Sequence, residues 1–325
     1  MTDTLDALLR DGFQALTRGD TVTAADRCRR AIGLDPQCIQ AHFLVGLVAT
    51  ERRDSRTAAS AFGSVTRLDP NHAAAWAQLA RVFVQAGQPG RAEQALRRAT
   101  ALDSTDPVVL DVLGGVHSLL GDQPAALVCY ARAAAARPDH VPFLINVANA
   151  HMFLGATGAA QRTLERALAL APDDAQAHWL LATLRTAPDH THVDRLEQLI
   201  ARARAPQSLA FLCYAAGKAY EDLEQWDAAF AAFARGAAAR RSVIEFDEVA
   251  EQATFDALTE HLHTHWLRRT GVGAPDPGPV FVVGQPRTGS TLVERIITSH
   301  SAVHSAGELQ QFRLSIRRLT AIAGR

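Results

Sequence analysis

The sequence predicts a mainly α fold, a superhelix of stacked two-helix hairpins, followed by the beginning of an α/β segment. Three observations predict it. A proline phrase returns every 34 residues through the first half of the chain. Small residues recur in the same phase, as closely packed helices require. Near residue 280, a short β-branched apolar run leads into a glycine-bounded turn and then a helix-like stretch, the pattern of strand, turn and helix.

The repeats come first, because fixed-period self-similarity decides the architecture. Pro36, Pro70, Pro138 and Pro172 stand 34, 68 and 34 residues apart, with Ser104 in the remaining slot. The phrase around them recurs, as in Leu34-Asp35-Pro36 and Leu68-Asp69-Pro70. Twelve residues before each slot stands Ala24, Ala58, Ala92, Ala126 or Ala160; twenty-four before stands Gly12, Gly46, Ala80, Gly114 or Ala148. Phe62, Leu96, Tyr130 and Leu164, four residues after the alanine, supply the large packing partner. A proline after the second helix ends it, since it cannot continue the hydrogen-bond ladder. By this phase five repeats cover 5–174. The register then weakens: a helix starts at Ala175–Trp179, and Ala187-Pro188-Asp189-His190-Thr191-His192 interrupts the 175–208 repeat. A last hairpin over 210–243 carries Gly217, Tyr220, Ala229, Phe233 and Gly236 in the expected places. No single hairpin can bury its apolar face, so stability must come from stacking.

This pattern resembles the tetratricopeptide repeat (TPR) family, with Trp76, Leu79, Phe83 and Ala92 of the third repeat fitting its motif well. The resemblance implies an α-α superhelix whose first helices line a concave groove that holds a protein or peptide. Asn146 and Asn149 fall on a first helix. They read either as contacts to the backbone of an extended peptide or as solvated surface.

Composition narrows the function classes. At 325 residues the chain exceeds what one core usually serves, so more than one domain is expected. The sequence divides into a repeat array at 1–243, a connecting helix and linker at 244–278, and a further domain segment at 279–325. With 33 basic and 34 acidic residues the net charge is −1, which gives no nucleic-acid footprint. All the basic residues but Lys218 are arginine, a bias that fits a GC-rich genome. The N-terminus has no apolar signal region, and no run approaches the roughly 18–20 apolar residues of a membrane helix. A cytoplasmic chain with no membrane partner is expected. Cys28, Cys38, Cys129 and Cys213 are scattered and read as reduced thiols among helices. His261, His263 and His265 invite a metal reading, but there is no H-E-x-x-H and no third ligand. They read as a solvated face, as do His190, His192, His300 and His304, and no metal is expected.

Chemistry is expected in the last 47 residues. After a helical stretch at about 244–269, Gly271–Gly278 has linker composition, and Pro279-Val280-Phe281-Val282-Val283 reads as a buried parallel strand. Gly284-Gln285-Pro286-Arg287-Thr288-Gly289-Ser290-Thr291 then turns into a helix through Leu292–Ile297. Such a turn presents free amide donors and a partial positive charge to an anion. It is P-loop-like, but the lysine slot of G-x-x-x-x-G-K-[ST] holds Ser290, and the cation is Arg287.

With those exchanges the segment resembles the sulfotransferase superfamily, whose loop is of the type Pro-Arg-Ser-Gly-Thr-Thr-Leu. Ser299–Val303 and Gly307-Glu308-Leu309 resemble the stretch that carries the catalytic glutamate in tyrosylprotein sulfotransferases. TPR arrays fused ahead of such a domain form a known bacterial family, which the whole chain resembles. The resemblance implies 3'-phosphoadenosine 5'-phosphosulfate (PAPS) as co-substrate, with no metal. Gln285, Pro286, Arg287, Thr288, Gly289, Ser290 and Thr291 would bind its phosphosulfate end. Arg287 and Glu308 would be catalytic, neutralising the leaving oxygen and serving as base for a hydroxyl acceptor on a protein or peptide. A phenol with pKa about 10 facing a glutamate near 4.3 makes prior deprotonation uphill by roughly 8 kcal/mol, so that base must act late or be buried. Plainer readings stand beside these: Arg287 in a surface ion pair, Ser290 and Thr291 as helix caps, Glu308 as a helix-dipole partner. The competing functions are a pure interaction scaffold with a vestigial tail, and a nucleotide hydrolase.

Forty-seven residues offer one strand, one helix, a short second strand at Ala302–His304 and a last helix, with nothing to hold a 3'-phosphate. The sequence therefore predicts a truncated, catalytically incomplete domain with little turnover. Its orphan strand should expose apolar faces.

Overall fold

A computed structural model describes residues 4–261, 278–285, 288–305 and 315. The chain divides into two compact units between Ala239 and Arg240. The first is a row of helical hairpins: α1 Leu5–Thr17 with α2 Thr21–Leu34, α3 Ile39–Glu51 with α4 Ser55–Leu68, α5 Ala73–Gln85 with α6 Pro89–Ala101, α7 Pro107–Leu119 with α8 Gln123–Ala136, and α9 Val141–Phe153 with α10 Thr157–Leu170. Each second helix also packs on the first helix of the next hairpin, and neighbouring first helices touch, α5 against α7 and α7 against α9. This is the repeat stack the sequence predicts.

The small-residue phase is a packing requirement. Ala24, Ala58, Ala92, Ala126 and Ala160 have no exposed surface. A Cβ at Gly46 would lie 2.4 Å from Phe62 Cε1, one at Gly114 2.6 Å from Tyr130 Cδ1, and one at Gly217 2.5 Å from Phe233 Cε1. In each hairpin the ring lies against the bare backbone of the first helix.

Two further 34-residue series set the joints, and the sequence reading missed both. Gly19, Arg53, Gly87, Gly121 and Gly155 all turn with positive φ between first and second helices. Directly after the first, second and fourth of these, Asp20, Asp54 and Asp122 cap the second helix by accepting from the N–H of Thr23, Thr57 and Ala125. Arg53, at φ +58°, holds without a glycine a conformation that L-residues resist. The other joint is closed from the side: His42 Nε2, Trp76 Nε1 and His178 Nε2 reach the carbonyls of Pro36, Pro70 and Pro172 at 2.8, 2.9 and 2.9 Å. The proline that ends a second helix thereby ties its carbonyl to the next first helix.

After α10 the array departs from register. Helix α11, Ala175–Leu184, is ten residues long, and α12, Thr191–Arg202, follows the break at Ala187-Pro188. Helix α13, Pro206–Asp222, packs against both α11 and α12 and leads into α14, Trp226–Arg241. Asp222 fastens the break, accepting from the Ala187 N–H at 3.0 Å and pairing with Lys218. Cys28, Cys38, Cys129 and Cys213 are free thiols, and burial pushes Cys28 up to about 11, well away from a reactive thiolate.

In the second unit, α15 spans Glu248–His261 and α16 spans Ser290–Ile297. Two expectations fail here. Residues 279–283 do not form a buried strand: they carry no regular secondary structure, with Val280, Phe281 and Val283 at 67%, 73% and 87% exposure. A strand requires a second strand to share its ladder, and no strand is assigned among the described residues. Residues 302–304 are likewise not a strand. They close a turn in which the N–H groups of Ala302 and Val303 donate to His300 Nδ1 and the His300 carbonyl.

Candidate functional site

The 284–291 turn is held by its own backbone. Thr288 donates twice to the Gln285 carbonyl, from its hydroxyl at 2.6 Å and its N–H at 3.3 Å. Gly284 leaves room for that hydroxyl, since a Cβ there would lie 2.8 Å from Thr288 Oγ1. Gly289, at φ +93°, occupies the N-cap of α16, and its carbonyl accepts from the Val293 N–H at 3.1 Å.

That geometry corrects the capping reading. Ser290 and Thr291 are the first two residues of α16, not its cap, and no side chain caps the helix. Their amides belong to the first turn, which has no intrahelical acceptor. Thr288, by contrast, spends its hydroxyl proton inside the loop. Downstream, the Ser305 hydroxyl donates to the Glu294 carboxylate, fastening the 298–305 turn back to α16. Pro286, Arg287, Gly307, Glu308 and Leu309 lie outside the described residues, as do His263 and His265. Among the described residues no three His, Cys, Asp or Glu side chains converge as metal ligands.

A second polar site lies on the first helices. Asn146 of α9 is not a solvated surface residue: it is part-buried and donates to Asp111 Oδ1 of α7 at 2.7 Å. Burial raises the Asp111 carboxyl, opposed by the Asn146 bond, His140 and Arg81. Burial also lowers the guanidinium of Arg81 on α5, against the pull of Glu51 and Asp111. Gln78, one turn before Arg81, is only 8% exposed. Gln78 Oε1, Arg81 Nε and His140 Nδ1 are all buried without a hydrogen-bond partner. A helical period of hydrophobic residues gives no sign of such a cluster, because its members come from three repeats.

His192 also departs from expectation, being packed rather than solvated. His178 is buried, and donating Nε2–H to the Pro172 carbonyl leaves its Nδ1 to accept from His192 Nε2–H at 3.2 Å. Desolvation lowers both imidazoles, His192 to about 4, with the neighbouring ring adding to its shift. His190 is exposed, with Nε2 3.0 Å from Gln225 Nε2.

The hairpins define the class: the tetratricopeptide repeat model matches residues 49–114 and 120–184. The sulfotransferase family model matches residues 279–323, so the chain carries TPR repeats followed by a segment similar to that family. Among solved structures, the fold is shared with PilW, a type IV pilus biogenesis factor, at 16% identity over 64% of this chain and 98% of that one, TM-score 0.53. It is shared with the Cut9–Hcn1 hetero-tetramer of the APC/C at 19% identity over 72% and 43%, TM-score 0.51. A thermophilic TPR protein of Thermus thermophilus matches at 20% identity over 56% and 98%, TM-score 0.50. An uncharacterized protein of Aquifex aeolicus (strain VF5) is 33% identical over 119 residues, and the chain spans 15% of that relative's length. No helix among the described residues is long and apolar enough to cross a membrane.

Proposed function

We propose that this chain belongs to a sulfotransferase system in which the TPR array holds a protein or peptide and the 284–291 loop binds the phosphosulfate end of PAPS. The observation that carries the proposal is the Gly289 cap. By taking the N-cap position itself, the glycine leaves the amides and hydroxyls of Ser290 and Thr291 without a capping role, at the positive end of a helix, in the segment similar to sulfotransferases. The described residues therefore fit an anion. The co-substrate supplies the sulfuryl group and a bisphosphate leaving group. In this reading Thr288 stiffens the loop, Ser290 and Thr291 donate to the phosphate, Arg287 offsets charge on the leaving oxygen, and Glu308 takes the acceptor's proton. The sulfur–oxygen bond to phosphate breaks as the bond to the acceptor oxygen forms. Placement and charge stabilisation supply most of the acceleration in such loose, in-line transfers.

Calorimetry on the chain with 3',5'-bisphosphoadenosine and, separately, with ATP and magnesium tests this. Binding of the bisphosphate alone is expected, weakened about tenfold or more by Ser290→Ala with Thr291→Ala or by Arg287→Ala. Binding of ATP alone would support a nucleotide hydrolase. Binding of neither would leave the repeats as an interaction scaffold.

A further inference from the structure

The repeat array ends on an open apolar face. Helices α2, α4, α6, α8 and α10 each pack on the first helix that follows, and the repeat phase fixes which side makes that contact. One residue after the buried Ala24, Ala58 and Ala126 stand Ala25, Ala59 and Leu127, packed into clusters that include the following hairpin. Seven residues further on come Ile32, Thr66 and Ala134, all wholly or partly buried. In α14 the alanine slot is Ala229, and the same two positions are Phe230 and Ala237, both exposed. Trp226, Phe230, Ala234, Ala237 and Arg241 recur at steps of four, four, three and four, which sets them along one side of the helix. On the side beneath, Ala229, Ala232 and Gly236 are buried, Gly236 against Cys213 and Tyr214 of α13. Trp226 and Phe230 are 62% and 76% exposed, two large rings one turn apart. A terminal repeat stays soluble by turning a polar face outward, and α14 does the reverse.

We propose that a second copy of this chain docks on that face, the two α14 helices packing antiparallel about a two-fold axis at Ala234. The stripe is complementary to itself. Its first half carries the large residues and its second half the small ones, so the two-fold sets Phe230 of one copy on Ala237 of the other. Ala234 meets Ala234 at the closest approach, and Trp226 meets Arg241. The Arg241 guanidinium, 5.7 Å from the centroid of the Phe246 ring, supplies a cation for the Trp226 face. Charge agrees with size. Asp227 lies in the first turn of α14 and Arg240 and Arg241 in the last, so the antiparallel pair brings each acidic end to the other copy's basic end and opposes the helix dipoles. A parallel pair would put Phe230 on Phe230 and like charges together. The second copy takes the place that a further first helix would occupy, and the two-fold closes the assembly at two chains. A helix of 16 residues is about 24 Å long, so the contact lies at the small end of specific interfaces and a dissociation constant on the order of micromolar is expected.

The test is sedimentation of the full chain from about 1 to 200 μM, beside Phe230→Glu and Ala234→Arg, with circular dichroism melts confirming that these exposed sites leave the fold intact. The parent is expected to move from monomer to dimer across that range, and each variant to weaken association at least about tenfold. Oxidised Ala234→Cys should form an inter-chain disulfide, because residue 234 meets its own copy on the axis. Ala231→Cys, on the other side of the helix, should not. A parent that stays monomeric overturns the proposal, and hydroxyl-radical labelling of Trp226 and Phe230 then distinguishes an open face from one covered by a segment of the same chain. A dimer that survives Phe230→Glu, or that cross-links equally through 231 and 234, uses another surface and overturns it too. Assembly beyond two copies would rule out the closed two-fold.

Discussion

Gly114 and Gly115 are neighbours on one helix, and the structure gives their replacement by alanine opposite signs. In either case alanine improves helix propensity by about 1 kcal/mol. At Gly115 nothing opposes that gain, because the new methyl meets only the Tyr130 hydroxyl at ordinary contact distance, 3.7 Å. At Gly114 it would lie 2.6 Å from both Cδ1 and Cε1 of Tyr130 and 3.0 Å from Cγ. Carbon atoms rest about 3.5–4.0 Å apart, so the ring would have to retreat by roughly 1 Å. Tyr130 is 8% exposed and packed among Ala133, Phe143 and Leu144, which leaves it nowhere to go. Overpacking costs about 1–3 kcal/mol, and a retreat of roughly 1 Å by a buried ring puts this case in the upper part, about 2–3, above the propensity gain of about 1. Gly115→Ala should therefore stabilise by about 0.5–1 kcal/mol, and Gly114→Ala should destabilise by about 1–2. Urea titrations and thermal melts of the two single variants measure this, with a midpoint shift of roughly 2–4 °C per kcal/mol for a unit of this size. Adding Tyr130→Leu should remove much of the Gly114→Ala penalty. Equal signs for the two alanines, or no rescue by leucine, would refute the ring-on-backbone account of the hairpin.

Two other perturbations follow from the joints. The imidazoles of His178 and His192 titrate lower in the folded chain than in the unfolded one, so between about pH 6.5 and His192's folded value of about 4 the unfolded chain binds more protons. Their contribution is complete above about pH 6.5 and is lost as pH falls toward 4; urea midpoints at pH 7.5 and 5.0 should show the loss, and His192→Leu should flatten it. Arg53→Gly should stabilise by about 1 kcal/mol by removing a side chain from the left-handed turn, where Gly87, Gly121 and Gly155 stand in equivalent places. An unchanged melt would mean that the turn carries no strain.

The repeat phase was legible because each of its marks is a local steric rule: a proline that stops a helix, an alanine where helices touch, a glycine beneath a ring. The turn series at 19, 53, 87, 121 and 155 was equally regular, but Arg53 in one slot hid it from a search for glycines. The partners of Asn146 and His192 are illegible in the sequence for a common reason. Those partners, Asp111 and His178, are 35 and 14 residues away, and one-dimensional spacing does not reveal which polar side chains meet across hairpins. At 279–283 the apolar pattern gave strand preference, but pairing depends on a neighbouring strand rather than on the segment itself. In the loop, the order of residues identified a helix start, yet the cap is Gly289 rather than Ser290 or Thr291.

Lys218 is the sole side-chain amine in a chain whose other 32 basic residues are arginines, and it is paired with Asp222 beside the break between α11 and α12. Amine-directed acylation therefore reports on one joint without interference from other side chains. A bound dye or spin label there would read the irregular repeat alone, and loss of the ammonium charge would leave Asp222 to hold the Ala187 amide unaided.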